Sequence, residues 1–446
     1  MATLITGGAV LPLAPTARRR LLQPGAVLVD AGTIVAVGPP DEVAAHPVAT
    51  GATVVDATGT AVIPGIHNCH LHSGLLRGTA ENLALLDWLR TYVDPAHRAL
   101  TPDIAEAASR LCYAEAVRSG TTSVMDMWRF LDRAAAVAED LGLRATLVPY
   151  VCDEEGYDYF ETLDTNRALL DRVGTGGRVR AWVGLEHLLY CTPRAYADAF
   201  RLAEEYGTHI HTHSSEQVLE VETIEARFGR RPIEELEARG TLEAGRCVIA
   251  HCVWLSDAEL DILAATGTRV AHCPCSNMKL ASGAAPVPAM WARGITVGLG
   301  SDGEKENNNL DLLEEMKFAS LLQKLTTLDP ATGNPWDVLA MATIEGARCL
   351  GLDGVTGSLE PGKRADVVVV DLRRLHTTPV LSGRDANVAE HLVFSANGAD
   401  VRDVWVDGRR LVAGGELVGV DVGAVRADAQ AAAEELFARR AALSPS

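Results

Sequence analysis

Short apolar runs recur through the middle of the chain, and several end abruptly in residues that bind metals or carry protons. The run 62–66 passes through Pro64-Gly65 into His67-Asn68-Cys69-His70-Leu71-His72. The run 181–185 leads into Glu186-His187, 208–212 into His213-Ser214-Ser215-Glu216, 248–250 into His251, and 295–300 into Ser301-Asp302. On a strand, side chains alternate with period two, so His70 and His72 share a face. Runs at 122–125, 145–149 and 268–271 bring the set to eight. Between them lie stretches with apolar residues at helical spacing: 103–118, 130–141, 193–206, 256–265 and 310–325. Thr101-Pro102 and Ser256-Asp257 supply helix starts. Eight strands alternating with helices predict an α/β fold, a TIM-like (β/α)8 barrel, with its site at the C-terminal strand ends. No glycine-rich phosphate loop follows a strand; Gly174-Thr175-Gly176-Gly177 precedes one instead.

The two ends of the chain follow another pattern. Residues 1–60 hold short β-like pieces (26–29, 34–37, 53–55) separated by glycine and proline. Residues 357–446 begin similarly (365–370, 401–408) and close with a helix at about 424–440. Neither end can bury much of a core by itself. Together they predict one small β-sandwich built from both termini, flanking a barrel at 61–356.

Composition narrows the function. The chain has 446 residues, 48% of them apolar, enough for a large core. It carries 40 Lys and Arg against 59 Asp and Glu, a formal charge of −19. Nucleic acid or an anionic membrane surface would repel that charge, so neither is an expected partner. The start lacks the basic and apolar segments of a signal peptide, and Arg18-Arg19-Arg20 is not followed by an apolar stretch. Nine scattered cysteines read as reduced, buried thiols, which places the protein in the cytoplasm. Cys273-Pro274-Cys275 adjoins a strand and reads as packing.

The polar residues at the strand ends suit zinc. Zn²⁺ takes imidazole nitrogen with some carboxylate, and a catalytic site leaves one position for water. His70, His72, His213 and Asp302 are the candidate ligands, with Fe²⁺ or another divalent ion as alternatives. A water bound there becomes acidic enough to supply hydroxide near neutral pH. Glu216, three residues after His213, turns off the strand and can move a proton to a leaving nitrogen. The alternative for Glu216 is a first-turn glutamate favoured by the helix dipole. His251 can hydrogen-bond the attacking water, and Asp302 can both ligate and accept a proton. Of Glu186 and His187, alternation lets one face the site, and His187 is the expected substrate contact. The charged loop Glu304-Lys305-Glu306 follows Asp302 at the entry face. It is either a solvated loop or a segment that points a charge, Glu304 among them, at the substrate.

These segments resemble the amidohydrolase superfamily, in particular the S-adenosylhomocysteine/methylthioadenosine deaminases and s-triazine hydrolases. The likeness spans nearly the whole chain and includes Ala250-His251-Cys252, His272-Cys273-Pro274-Cys275-Ser276-Asn277 and the stretch from Gly357 to Asp366. The resemblance implies one divalent metal on His70, His72, His213 and Asp302, with Glu216 as proton shuttle and His251 beside the attacking water. No lysine follows the fourth strand, where two-metal members carry a bridging one. The ribose-binding glutamate of the nucleoside deaminases falls on His97. The resulting expectation is a one-zinc aminohydrolase that releases an amine from an electron-poor carbon of a purine-, pterin- or triazine-like heterocycle. Its partners would be that small substrate and water, in a homo-oligomer. The alternatives are hydrolysis of a carbon–halogen or amide bond, or a non-catalytic relative.

Overall fold

The computed structural model describes residues 2–79, 81–83 and 85–443. It divides into two compact units: Met1–Asn68 with Ala114–Ser123 and Asp311–Val420, and Cys69–Tyr113 with Val124–Leu310 and Asp421–Ser446.

The first unit is organised on one nine-stranded sheet. Its order is Glu416–Leu417, Arg409–Ala413, Val401–Val406, Val367–Asp371, Thr60–Pro64, Thr3–Val10, Leu22–Asp30, Thr33–Gly38, with Thr53–Asp56 alongside Thr3–Val10. N-terminal and C-terminal segments meet where Thr60–Pro64 runs antiparallel to Val367–Asp371, with Val62 opposite Val369. Residues two apart on these strands share a face, so Val367 and Val369 join Ile5, Val27, Ile34, Val62 and Trp405 in one apolar cluster. The hydrogen bonding thus runs continuously through both termini.

The second unit carries the strands that end in chemistry. A four-stranded sheet is ordered Ile66–Leu71, Thr121–Trp128, Arg144–Pro149, Val179–Ala181. A five-stranded sheet is ordered Val183–Gly184, Ile210–Ser214, Cys247–His251, Arg269–His272, Val297–Leu299, and its neighbours pair in parallel. The break between the sheets is a single residue. Trp182 N–H donates back to the Leu147 carbonyl at 2.9 Å, and Val183 N–H donates forward to His209 at 3.0 Å. At the far end, Asp302 N–H donates to the His70 carbonyl at 3.0 Å, joining the last strand end to the first.

Helices lie close to where apolar spacing and caps put them, at Pro102–Arg118, Leu131–Leu141, Pro193–Glu205, Asp257–Thr266 and Leu312–Thr327. Ser256 accepts from Glu259 N–H while Glu259 accepts from Ser256 N–H, a reciprocal cap. Two boundaries differ from the sequence reading. The run 62–72 is not one strand: Gly65 N–H donates to Asp366, Ile66 N–H to Gly120, and the chain changes sheets there. The final helix, Val422–Leu443, groups with the second unit, whereas the sequence reading attached it to the C-terminal β segment.

Candidate active site

Three histidines converge through their Nε2 atoms, and their hydrogen bonds fix which nitrogen carries the proton. His72 Nδ1 lies 2.6 Å from the Met127 carbonyl and His213 Nδ1 lies 2.8 Å from the Glu186 carbonyl. A carbonyl only accepts, so both Nδ1 atoms donate and both Nε2 atoms keep a lone pair. His70 is set through a relay. His211 Nδ1 donates to the Val248 carbonyl at 2.9 Å, which leaves His211 Nε2 as an acceptor, and His70 Nδ1 donates to it at 2.8 Å. His70 Nε2 therefore also presents a lone pair. Burial keeps all four rings below the ordinary imidazole pKa, hence neutral.

The three lone pairs face one another. His213 Nε2 is 3.1 Å from His70 Nε2 and 3.3 Å from His72 Nε2. Asp302 Oδ1 is 3.3 Å from both His70 Nε2 and His72 Nε2. Four electron-rich atoms this close repel unless a cation sits among them. Ligands of one tetrahedral zinc at about 2.0–2.1 Å lie about 3.3 Å apart; these four contacts match that spacing, and imidazole nitrogens with a carboxylate suit the ion's chemistry. The Asp302 carboxyl is held well below the usual carboxylate range; burial opposes this, but His70, His72 and His251 outweigh it.

Glu216 and His251 stand beside this cluster. Glu216 Oε1 accepts from the Ser282 hydroxyl at 2.9 Å, and burial raises its carboxyl. His251 Nδ1 donates to Asn277 Oδ1 at 3.0 Å, aiming Nε2 between Glu216 Oε2 at 3.8 Å and Asp302 Oδ2 at 3.9 Å. Burial would lower His251, yet Glu216 and Asp302 raise it. Ser215, His251 and Asp302 all have positive φ (56°, 72° and 59°). Non-glycine residues in that region are uncommon, and three at strand ends of one sheet mark a backbone bent to aim side chains. Part of the bend is held by Glu220, whose carboxylate accepts from Ser215 N–H and Glu216 N–H.

The cavity over the cluster is lined by His72, Trp88, Tyr150, Glu186, His187, His213, Glu216, His251, Asp302 and Glu306, with Leu89 and Leu280. Trp88, whose place in the sequence also suited a plain helix face, thus reaches the site. Glu186 and His187 both line it, because the strand ends at Gly184 and alternation no longer governs them. His187 Nδ1 is 2.8 Å from Glu186 Oε2; burial would lower the imidazole, but Glu186 pushes it up to about 9.

Two expected substrate contacts lie elsewhere. His97 is buried on the short helix Asp94–Ala99, its ring stacked on Tyr150 at 5.3 Å and tilted against Trp128 at 4.7 Å, outside the cavity lining. Glu304 accepts from Leu76 N–H at 3.0 Å, which draws it into a cleft with Gly74, Arg77 and Gln430. Glu306, in the same turn, faces the cavity. The loop is not solvated: Glu304, Lys305 and Glu306 are all buried. Sequence reasoning passed over His211, Ser276, Asn277 and Ser282, which orient the polar groups; Ser276 donates to Asp302 Oδ2 at 2.6 Å. Their nearest signal was the run His272 to Asn277, where the cysteines drew the attention. All nine cysteines are buried and none forms a disulfide.

A five-stranded parallel sheet and a four-stranded sheet with a histidine–aspartate cluster at their strand ends define a metal-dependent hydrolase of the α/β class. Residues 61–411 match the amidohydrolase family, and the chain belongs to it, as a hydrolase acting on carbon–nitrogen bonds. Residues 25–47 match the bacterial imidazolonepropionase-like composite domain. The chain is 41% identical to the 5'-deoxyadenosine deaminase of Methanothermobacter thermautotrophicus, across 86% of this chain and 89% of that one. It is 39% identical to the 5-methylthioadenosine/S-adenosylhomocysteine deaminase of Symbiobacterium thermophilum, across 91% and 92%. The crystal structure of an adenosine deaminase from Xanthomonas campestris with bound zinc superposes with a TM-score of 0.91 at 30% identity, covering 98% of each chain.

Proposed function

We propose that this chain is a one-metal aminohydrolase that removes an amino group from an electron-poor ring carbon of a nitrogen heterocycle. The observation that carries the reading is the convergence of three histidine lone pairs and Asp302 Oδ1 within 3.1–3.3 Å, beside a raised carboxyl on Glu216. His70, His72, His213 and Asp302 would hold the ion, zinc by preference. Bound there, a divalent ion acidifies water into a nucleophile near neutral pH.

The remaining chemistry belongs to the chain. Glu216 takes a proton from the attacking water and returns it to the departing nitrogen, work suited to a carboxyl raised toward neutrality. Ser282 holds one Glu216 oxygen, so the other is left for the transfer. His251 Nε2 sits between Glu216 and Asp302 and steadies charge that builds on the attacked carbon's oxygen. Trp88 and Tyr150 give the ring apolar faces, and His187 lies at the edge of the same cavity.

The relatives' names, deaminases of adenine nucleosides, support the substrate class. The four- and five-stranded sheets are read as one closed (β/α)8 barrel at about 61–356, supported by the Asp302–His70 backbone bond. The sheet of residues 1–60 and the segment after 357 is read as a sandwich folded over its apolar cluster. Among the described residues no helix is long and apolar enough to cross a membrane, which suits the cytoplasmic reading. Metal analysis with ammonia release across aminated purines, pterins, pyrimidines and triazines tests the function. About one ion per chain and ammonia from at least one class is expected; two ions per chain, or release from none, overturns it.

A further inference from the structure

The turn Glu304–Asn307 buries three successive charges beside the cavity, and burial of charge requires partners. Lys305 has them. Its Nζ lies 2.8 Å from Glu306 Oε1 and sits 4.9 Å above the Trp128 ring and 5.8 Å above Trp88. Burial would lower this ammonium, but Glu306 and Glu304 raise it, so it stays charged. Glu306 is only half served. Its Oε1 is taken by Lys305, while Oε2 is buried with no hydrogen-bond partner among the described residues. Oε2 lies over Gly303, where an added Cβ would come within 2.2 Å of it, 2.9 Å of Lys305 Nζ and 3.1 Å of His72 Cβ, and the Glu306 side chain lines the cavity beside that candidate ligand.

Glu186 Oε2 also lacks a hydrogen-bond partner among the described residues, but it has the His187 imidazole 2.8 Å away, and Asp302 Oδ2 accepts from Ser276. We propose that Glu306 reads the substrate: its Oε2 accepts a hydrogen bond from an N–H on the ring edge, which selects heterocycles bearing a ring N–H or a protonated ring nitrogen. Lys305 and the two tryptophans hold the carboxylate in place for that contact. A buried acceptor left unpaired discriminates strongly against a ligand that cannot supply the donor. The inference rests on the aminohydrolase reading and adds to it which edge of the ring is recognised.

The test uses matched pairs: an aminated purine, pyrimidine or triazine with a ring N–H, and the same compound N-methylated at that atom. Wild-type holoenzyme is expected to favour the N–H member by about a hundredfold or more in kcat/KM, mostly through KM. Glu306→Leu should cut that preference below about tenfold with metal content unchanged, and Glu306→Gln, which keeps an acceptor oxygen, should restore part of it. Should Glu306→Leu not fold, Lys305→Met with Glu306→Leu removes both charges and takes its place. A preference that persists at the wild-type level in these variants, or is absent in wild type, overturns the proposal. If wild type released no ammonia from any compound, the aminohydrolase reading would fail instead. Calorimetric binding of the same pairs to zinc-loaded protein would then still decide whether Glu306 reads an N–H.

Discussion

A single proton position decides whether His70 can hold a metal. Its Nε2 lone pair exists because His211 offers an acceptor to Nδ1, and His211 does so because Val248 takes its own proton. His211→Phe keeps an aromatic ring and removes the acceptor. Metal affinity should fall roughly tenfold to a hundredfold with the fold intact, the usual cost of losing such a partner; titration with a competing chelator measures it. Glu216→Gln separates another role. The variant should bind metal normally and lose about a hundredfold or more in turnover, as removal of a general acid–base does. Loss of metal from this variant would make Glu216 a ligand rather than a proton carrier. His70, His72, His213 and Asp302 were legible as a group because each ends an apolar run. His211 was not, since a histidine inside a strand looks the same in sequence whether it fills space or sets a tautomer.

Strands place these side chains, so defects in strand packing should reach the site. At Gly184 the chain passes so close to the neighbouring strand that a Cβ would lie 1.9 Å from the Pro149 carbonyl oxygen. Backbone cannot move aside as a side-chain tip can. Gly184→Ala should therefore cost about 1–3 kcal/mol, seen as a lower melting temperature, and should weaken metal retention because Glu186 and His213 follow from the same strands. Ser256→Ala, at the helix cap far along the chain, should cost about 1 kcal/mol and leave metal content alone. Helices were read nearly to the residue where caps and apolar spacing agree. The strand from 62 to 72 was misjudged because both halves are apolar and buried, and nothing local announces that Gly65 changes sheets.

Across the second unit, buried charge links stability to pH. Glu186 raises folded His187 to about 9, above its ordinary 6.5. A base whose folded pKa exceeds its unfolded value contributes full stability below the unfolded pKa and loses it as pH climbs through the folded one. Stability should thus decline between about pH 6.5 and 9, and His187→Gln should flatten that part of the profile. Denaturant melts at a series of pH values measure both; an equal decline in the variant would assign the effect elsewhere.

The sequence by itself determined the class of fold, the strand ends with polar residues, the four candidate ligands and the glutamate proposed to carry a proton. Periodicity and residue type act locally, and these features are local. Tertiary structure alone decided which groups meet from separate segments of the chain. It set His211 behind His70, Asn277 behind His251, and both termini in one nine-stranded sheet. It also sent His97 to an aromatic stack, Glu304 to a separate cleft and Glu306 to the cavity. In a four-residue helical turn, neighbouring side chains diverge by about 100°, and only the packing around the turn settles which of three charges meets the substrate.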